Sequence, residues 1–541
     1  MDLILINGKV HTMDMLNKIT EAVAIKNGKV VKTGTSSEIF ALKTNITEII
    51  DLKGKVILPG FNDSHMHLLN FANSLSMIDL NSCSSIEELI ERVKTFINAK
   101  NLVKNKWIRG KGWNQDYFKK EKRFPTKYDL DKISTEYPIV ITRACIHICV
   151  VNSKALALLG ITKETPQVEG GQFDIDKNGE PIGIFREKAL SLVYDKIPSP
   201  TSEELKNMIK EATYYANSKG LTSIQSDDFT SIPGVDYIQV INAYNELKES
   251  GNLTLRVNEQ CLLPAKDKLE KFLKEGFTTG QGDEFFKIGP LKLLVDGSLG
   301  ARTAALCKPY FDDPSTSGIL VYDQKELNEL ILTAHNSGMQ IAVHCIGDKA
   351  MYMTFEAFQK ALKVNPKKNH RHSIVHCQIT DEILLNKFKE LDIIAHIQPI
   401  FIHYDLHMVE DRIGRERMKS SYAFKTMIQK GIHIALGTDC PVEALDVMPS
   451  IYCAVTRKDL NGYPEKGWMP EERLSIEEAV YNYTMGSAYA SFEDTIKGSI
   501  EEGKLADMVV LSEDIFEVDK DRIKDLEVEM TLLGGKVIYK K

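Results

Sequence analysis

The chain has 541 residues, 43% hydrophobic and 26% charged, with a net charge of −7, a balance that fits a globular protein of two or three domains. The negative balance and the lack of any dense Lys/Arg block exclude a nucleic-acid surface, and no apolar run approaches the ~20 residues of a membrane span. Nine scattered cysteines without CxxC spacing, and an acid at position 2 where a leader would be basic, read as free thiols in a cytoplasmic protein. The partner expected is a small-molecule substrate, with a homo-oligomer left open.

In chain order, the first 58 residues alternate short apolar runs with Asn-Gly and Lys-Gly turns, as in LILINGKV and AVAIKNGKVV, which is hairpin chemistry. The stretch 497–541 repeats the style in ADMVVL and VEMTLLGGKVIYKK. Because termini commonly lie close together, 1–58 and 497–541 are expected to share one small β-sandwich. Between them, in 59–496, β-branched runs such as PLKLLVDG, IAVHCIGD, SIVHCQ and IHIALGTDC alternate with helical stretches. That rhythm predicts a parallel sheet covered by helices, open or closed into a barrel. The interval between His67 and Lys292 is longer than three βα units need by roughly a hundred residues, which predicts an insertion at about 75–200 after the first strand.

The first of these runs leads into LPGFNDSHMHL, where His65 and His67 stand one residue apart. On a strand, alternate side chains share a face, so the two imidazoles point together. HxH alone reads as a polar pair in a loop more often than as two metal ligands; its place at a strand end shifts the balance. Lys292, His344, His376 and Asp439 fall at or near the C-terminal ends of later apolar runs, the face that holds the active site in (β/α)₈ barrels. Four histidines and a carboxylate suit zinc, and equally manganese, iron or nickel. Lys292 is the odd member. As an ammonium it would repel cations and reads as a packed stem, whereas carbamylation by CO₂ would turn it into a carboxylate bridging two metals. Asp296 is the competing acid. His403 and His407 share a helical spacing but read as pocket or surface groups. Cys345, Cys377 and Cys440 adjoin candidate ligands and face away from them.

Taken together, ILPGFNDSHMHL, KLLVDGSLGARTAAL, DDPSTSGIL, VHCIGDKA, HCQ, GTDCPVE and GKLADMVVL resemble the amidohydrolase superfamily, and within it the branch that contains N-substituted formamide deformylase. The resemblance runs from about residue 3 to residue 541. It implies a (β/α)₈ TIM-type barrel, a small β-sandwich from both termini and a centre of one or two divalent ions, zinc foremost. By motif, His65 and His67 match the first-strand pair, His344 and His376 the fifth- and sixth-strand ligands, Asp439 the eighth-strand aspartate and Lys292 the fourth-strand bridging position. Trp113, Arg143, His147 and Arg302 resemble substrate-pocket positions of the branch.

The expected activity is metal-dependent hydrolysis of a non-peptide C–N bond, in an amide or N-substituted formamide. Asp439 would be the proton shuttle, and Arg143 or His147 a donor to the oxyanion. An ester or lactone hydrolase on the same centre, and a catalytically inactive binding relative, are the competing readings.

Overall fold

In the computed structural model, residues 1–99, 106–145 and 147–541 are described. Eight short runs, apolar in the later strands and mixed with polar residues in the first three, line up as parallel strands: β1 (Phe61–Met66), β2 (Leu221–Ser226), β3 (Arg256–Leu262), β4 (Phe286–Leu294), β5 (Ile341–Cys345), β6 (Ser373–His376), β7 (Ile394–Ile397) and β8 (Ile434–Leu436). They follow one another in sequence order, and each pairs with the next in parallel register. Past the last strand the ring closes on the first: Asp439 N donates to His65 O at 2.8 Å, and His67 N donates to Cys440 O at 2.8 Å. All six residues of β1 are buried, as expected for a strand covered on both faces.

Helices alternate with the strands, and their starts are written in the sequence. Asp236, Asp323 and Asp381 each cap a helix by accepting a backbone N–H three residues on, which satisfies one of the donors a helix start leaves open. The helix Asp348–Val364 after β5 begins at Gly347 instead. There the Asp296 carboxylate accepts from Ile346 N at 3.1 Å and Gly347 N at 2.8 Å. Among the described residues no helix is long and apolar enough to cross a membrane. All nine cysteines are unpaired.

Two further sheets come from the ends of the chain. One holds Leu3–Ile6, Ala22–Lys26, Lys29–Gly34 and Glu48–Asp51; the other includes Lys9–His11, Val56–Pro59, Met508–Leu511, Val528–Leu533 and Lys536–Lys540. Leu3, Leu5, Val23 and Ile25 from the first share a core with Val10, Ile57, Met508, Val510 and Leu532 from the second. Val56–Pro59 runs straight into β1, with Gly60 at the joint. A Cβ there would sit 2.2 Å from Thr222 Oγ1, so only glycine lets β1 and β2 approach. Arg256, 2% exposed, opens β3 and forks onto Asp507 at 2.7 and 3.0 Å, fastening the sandwich to the barrel floor.

Ala72–Thr201 forms a separate compact unit. Its six-stranded sheet mixes parallel and antiparallel pairs and has its own core of Leu80, Leu89, Ile108, Trp113, Phe118, Ile139 and Ile141.

Candidate metal centre

The strand ends bring His65, His376 and Asp439 together so closely that one donor atom from each lies within 4.8 Å of the others. The rings of His67 and His344 join them, 5.0 Å from His65 and 4.4 Å from His376 respectively, centroid to centroid. In each of the four imidazoles Nδ1 meets an acceptor outside the cluster. His65 Nδ1 donates to Gln260 Oε1 at 2.8 Å and His67 Nδ1 to Asp227 O at 3.3 Å. His344 Nδ1 donates to Asp296 Oδ1 at 3.0 Å and His376 Nδ1 to Gln398 Oε1 at 2.8 Å. Nε2 is then the remaining donor atom of every ring, which is the outer-sphere arrangement that orients metal-ligating histidines.

Asp439 supplies the carboxylate. Its Oδ1 lies 3.1 Å from His67 Nε2 and 3.3 Å from His65 Nε2. Burial alone would raise its pKa, but the imidazoles of His65 and His67 beside it hold the carboxyl well below its ordinary value. Burial likewise opposes charge on His67, yet the contact with Asp439 lifts that imidazole to about 9; a cation seated between the two would displace the proton. The backbone at Asp439 is left-handed, φ +61, a conformation Asp tolerates better than most residues. Two residues earlier, a Cβ on Gly437 would press within 2.7 Å of Asp63 Oδ1 and His65 N. Asp63 itself is fully buried and takes hydrogen bonds from His65 N at 3.0 Å and Thr438 Oγ1 at 2.6 Å, so one carboxylate ties the first ligand strand to the last. Lys292 is 0% exposed, with Nζ 3.2 Å from His65 Nε2. Burial lowers its pKa to about 8, against the pull of Asp227 and Asp439.

A cavity of about 440 Å³ opens on this cluster. His344, His376 and Asp439 form one side, and Leu299, Ile346, Phe401, Tyr404, Met408 and Val442 supply apolar wall, a size and lining that suit a small molecule.

Several residues singled out in the sequence stand elsewhere. Trp113 is 0% exposed in the core of the 72–201 unit, its ring packed edge-on against Phe124; this corrects its expected place on a pocket wall, since the indole fills a core. In the same unit, Arg143 is held by Gln115 Oε1 at 2.8 Å and Asn114 Oδ1 at 2.9 Å, and the exposed His147 meets Glu187 Oε2 at 3.0 Å. Arg302 forks onto Asp312 at 3.2 and 2.8 Å, a pairing that takes it off the cavity lining. His403 Nδ1 accepts from Leu460 N, and His407 Nε2 lies 3.0 Å from Asp459 Oδ2, so neither joins the cluster. Asp296 accepts from three backbone N–H groups as well as from His344, which makes it a positioning group. The Cys345 and Cys377 thiols turn to Thr354 Oγ1 and Ile374 O.

Gln260, Gln398 and Asp63 escaped the sequence reading. The signal was there: polar residues inside or at the end of strands too apolar to hold them without a partner. Gln260→Ala or Gln398→Ala should weaken apparent metal affinity by roughly 10- to 100-fold, measured by titration against a competing chelator, with turnover recovering at saturating metal. Unchanged affinity would show that the rings hold their orientation unaided.

Comparison with known proteins agrees with this architecture. The amidohydrolase family model matches residues 48–539. The Bacillus subtilis (strain 168) protein YtcJ is 35% identical over 536 residues, which cover 99% of this chain and 98% of that one. N-substituted formamide deformylase of Arthrobacter pascens is 24% identical, with 100% of this chain and 98% of that one covered. The crystal structure of an uncharacterized metal-dependent hydrolase from Pyrococcus furiosus superimposes with a TM-score of 0.77 at 33% identity, over 95% of this chain and 100% of that one. Since the family match takes in the barrel, the cluster at its strand ends and the sandwich strands from Glu48 onward, the chain belongs to the amidohydrolase family.

Proposed function

We propose that the chain hydrolyses a non-peptide C–N bond, that of an amide or N-substituted formamide, in a small molecule held in the 440 Å³ cavity. The observation that carries this reading is the set of four imidazoles, each with Nδ1 committed outward, around a carboxylate kept ionised by its neighbours. Nitrogen and oxygen donors in this pattern fit zinc and related divalent ions; His65, His67, His344, His376 and Asp439 would hold such an ion or ions, and Lys292 would add a carboxylate to the set once carbamylated. When bound, such an ion polarises a carbonyl as a Lewis acid and lowers the pKa of water toward neutrality.

The chain's own residues do the rest. Asp439, ionised at neutral pH, takes the proton of the attacking water as the new C–O bond forms, then passes it to the leaving nitrogen so that the amine departs uncharged. Gln260, Gln398 and Asp296 keep the imidazoles from turning. The apolar wall of Leu299, Ile346, Phe401 and Val442 limits the water around the reacting carbonyl. The name of the Arthrobacter pascens relative supports the choice of a C–N bond.

The test is a panel of N-formyl amines, N-acyl amines, hydantoins, esters and lactones offered to protein reconstituted with zinc. Turnover of the formyl or acyl amines is expected to exceed that of the oxygen esters. Hydrolysis confined to esters or lactones would move the activity to a C–O bond on the same centre. A folded protein that takes up no stoichiometric metal would replace the enzyme with a binding protein.

A further inference from the structure

The cavity beside the metal centre has a second chemical character, away from the histidines. Asp405 and Glu443 both line it, and among the described residues no lysine or arginine does. Asp405 is only 8% exposed, and both hydrogen bonds to its side chain, from Tyr422 Oη at 2.7 Å and Gln378 Nε2 at 3.2 Å, arrive on Oδ2. Oδ1 of this buried carboxylate is left without a donor on the cavity side. Glu443 makes no hydrogen bond or ion pair among the described residues. Phe401 and Tyr404 line the same space, and Phe401 stacks on His376 with centroids 5.9 Å apart and planes 12° from parallel.

A half-desolvated carboxylate without a cation is costly, and a ligand that brings the cation relieves that cost. An aromatic face adds attraction for the same charge. An anionic substrate group would meet like charge there, and a purely apolar one would leave Asp405 Oδ1 unpaired.

Resting on the C–N hydrolase reading, we propose that this cavity selects substrates carrying a protonated amine remote from the scissile bond, seated between Asp405, Glu443 and the rings of Phe401 and Tyr404. The substrate class is then N-formyl or N-acyl derivatives of diamines and of similar aminated compounds. The reacting carbonyl faces Asp439 and the imidazoles while the ammonium anchors the far end.

The experiment compares N-formyl-1,4-diaminobutane with N-formylpentylamine, its uncharged isostere, on the metal-loaded full chain. A charge-assisted hydrogen bond predicts a kcat/KM ratio of roughly 10 to 100 in favour of the cation, falling toward unity in Glu443→Gln and in Asp405→Asn. Glu443→Gln is the safer variant, because Asp405 also holds Tyr422 and Gln378. Equal kcat/KM for the two compounds overturns the proposal. So does a ratio that neither variant changes. If neither compound is hydrolysed, the C–N reading fails, and calorimetry with n-butylammonium chloride, with n-butanol as the uncharged control, judges the subsite alone. Ammonium binding that weakens in Glu443→Gln upholds it; no binding, or binding the variant leaves unchanged, overturns it.

Discussion

Asp439→Asn is expected to leave the barrel folded and most of the metal in place while turnover falls by ~10²–10⁴, the usual contribution of a positioned acid–base group. Asparagine keeps the shape, keeps one oxygen toward the histidines and tolerates the left-handed backbone found at this position. It removes only the basic carboxylate. His65 and His67 hold that carboxyl well below its ordinary value although it is buried. The ionised base is therefore present across neutral pH and lost as pH falls through its lowered pKa, so the acidic limb of the pH–rate profile should change in the variant. Metal content by elemental analysis separates lost chemistry from lost metal. A variant that turns over within a few-fold of the parent would assign the proton transfer to another group.

The second large effect is expected at Lys292. Lys292→Ala should lose most turnover and recover part of it when a short-chain carboxylate such as propionate is added. A buried ammonium 3.2 Å from His65 Nε2 opposes any cation in the cluster, whereas burial has already lowered its pKa to about 8. A fraction of the side chain is thus neutral amine at neutral pH. That amine adds to CO₂, forming an N–C bond and releasing one proton, and the neutral group becomes a carbamate of charge −1; counted from the ammonium, two protons leave. The truncated site leaves room for a free carboxylate to stand in for the carbamate. A metal-loaded, active enzyme whose Lys292 amine is unmodified and turned away from the centre would remove the idea, as would a variant that no carboxylate rescues.

Periodicity and turn chemistry carried the fold far, because a buried parallel strand has to be apolar along its length and its C-terminal end is where polar groups can emerge. The cluster was legible for the same reason: His344 closes an Ile-Ala-Val run and His376 an Ile-Val run. Spacing alone would have misled. His370 and His372 repeat the one-residue spacing of His65 and His67, yet they precede β6 instead of ending a strand. There His372 Nε2 lies 2.8 Å from His335 Nδ1, its Nδ1 accepts from Ile341 N at 3.1 Å, and His370 Nε2 reaches Leu391 O at 3.1 Å. Every ring nitrogen of that pair is satisfied by the protein, so it is structural. Asp405 and Glu443, which also escaped notice, meet at the cavity from segments distant in sequence, and no local pattern marks such a meeting. Trp113 shows the converse: resemblance by motif placed it at a pocket position, and its neighbours in space are those of a core.

The sandwich has a consequence for how the chain is made. Val56–Pro59 lies between Lys9–His11 and Met508–Leu511 in its sheet, so its second neighbour emerges from the ribosome roughly 450 residues after it. At about 5–20 residues per second, that is a wait on the order of half a minute to a minute and a half. Throughout it the core around Leu3, Leu5, Val10, Val23, Ile25 and Ile57 lacks Met508, Val510 and Leu532, and the open strand edge invites pairing with another nascent chain. His65 and His67 follow directly on this waiting segment, so the strand that leads into the candidate metal centre is the one whose anchoring is completed last.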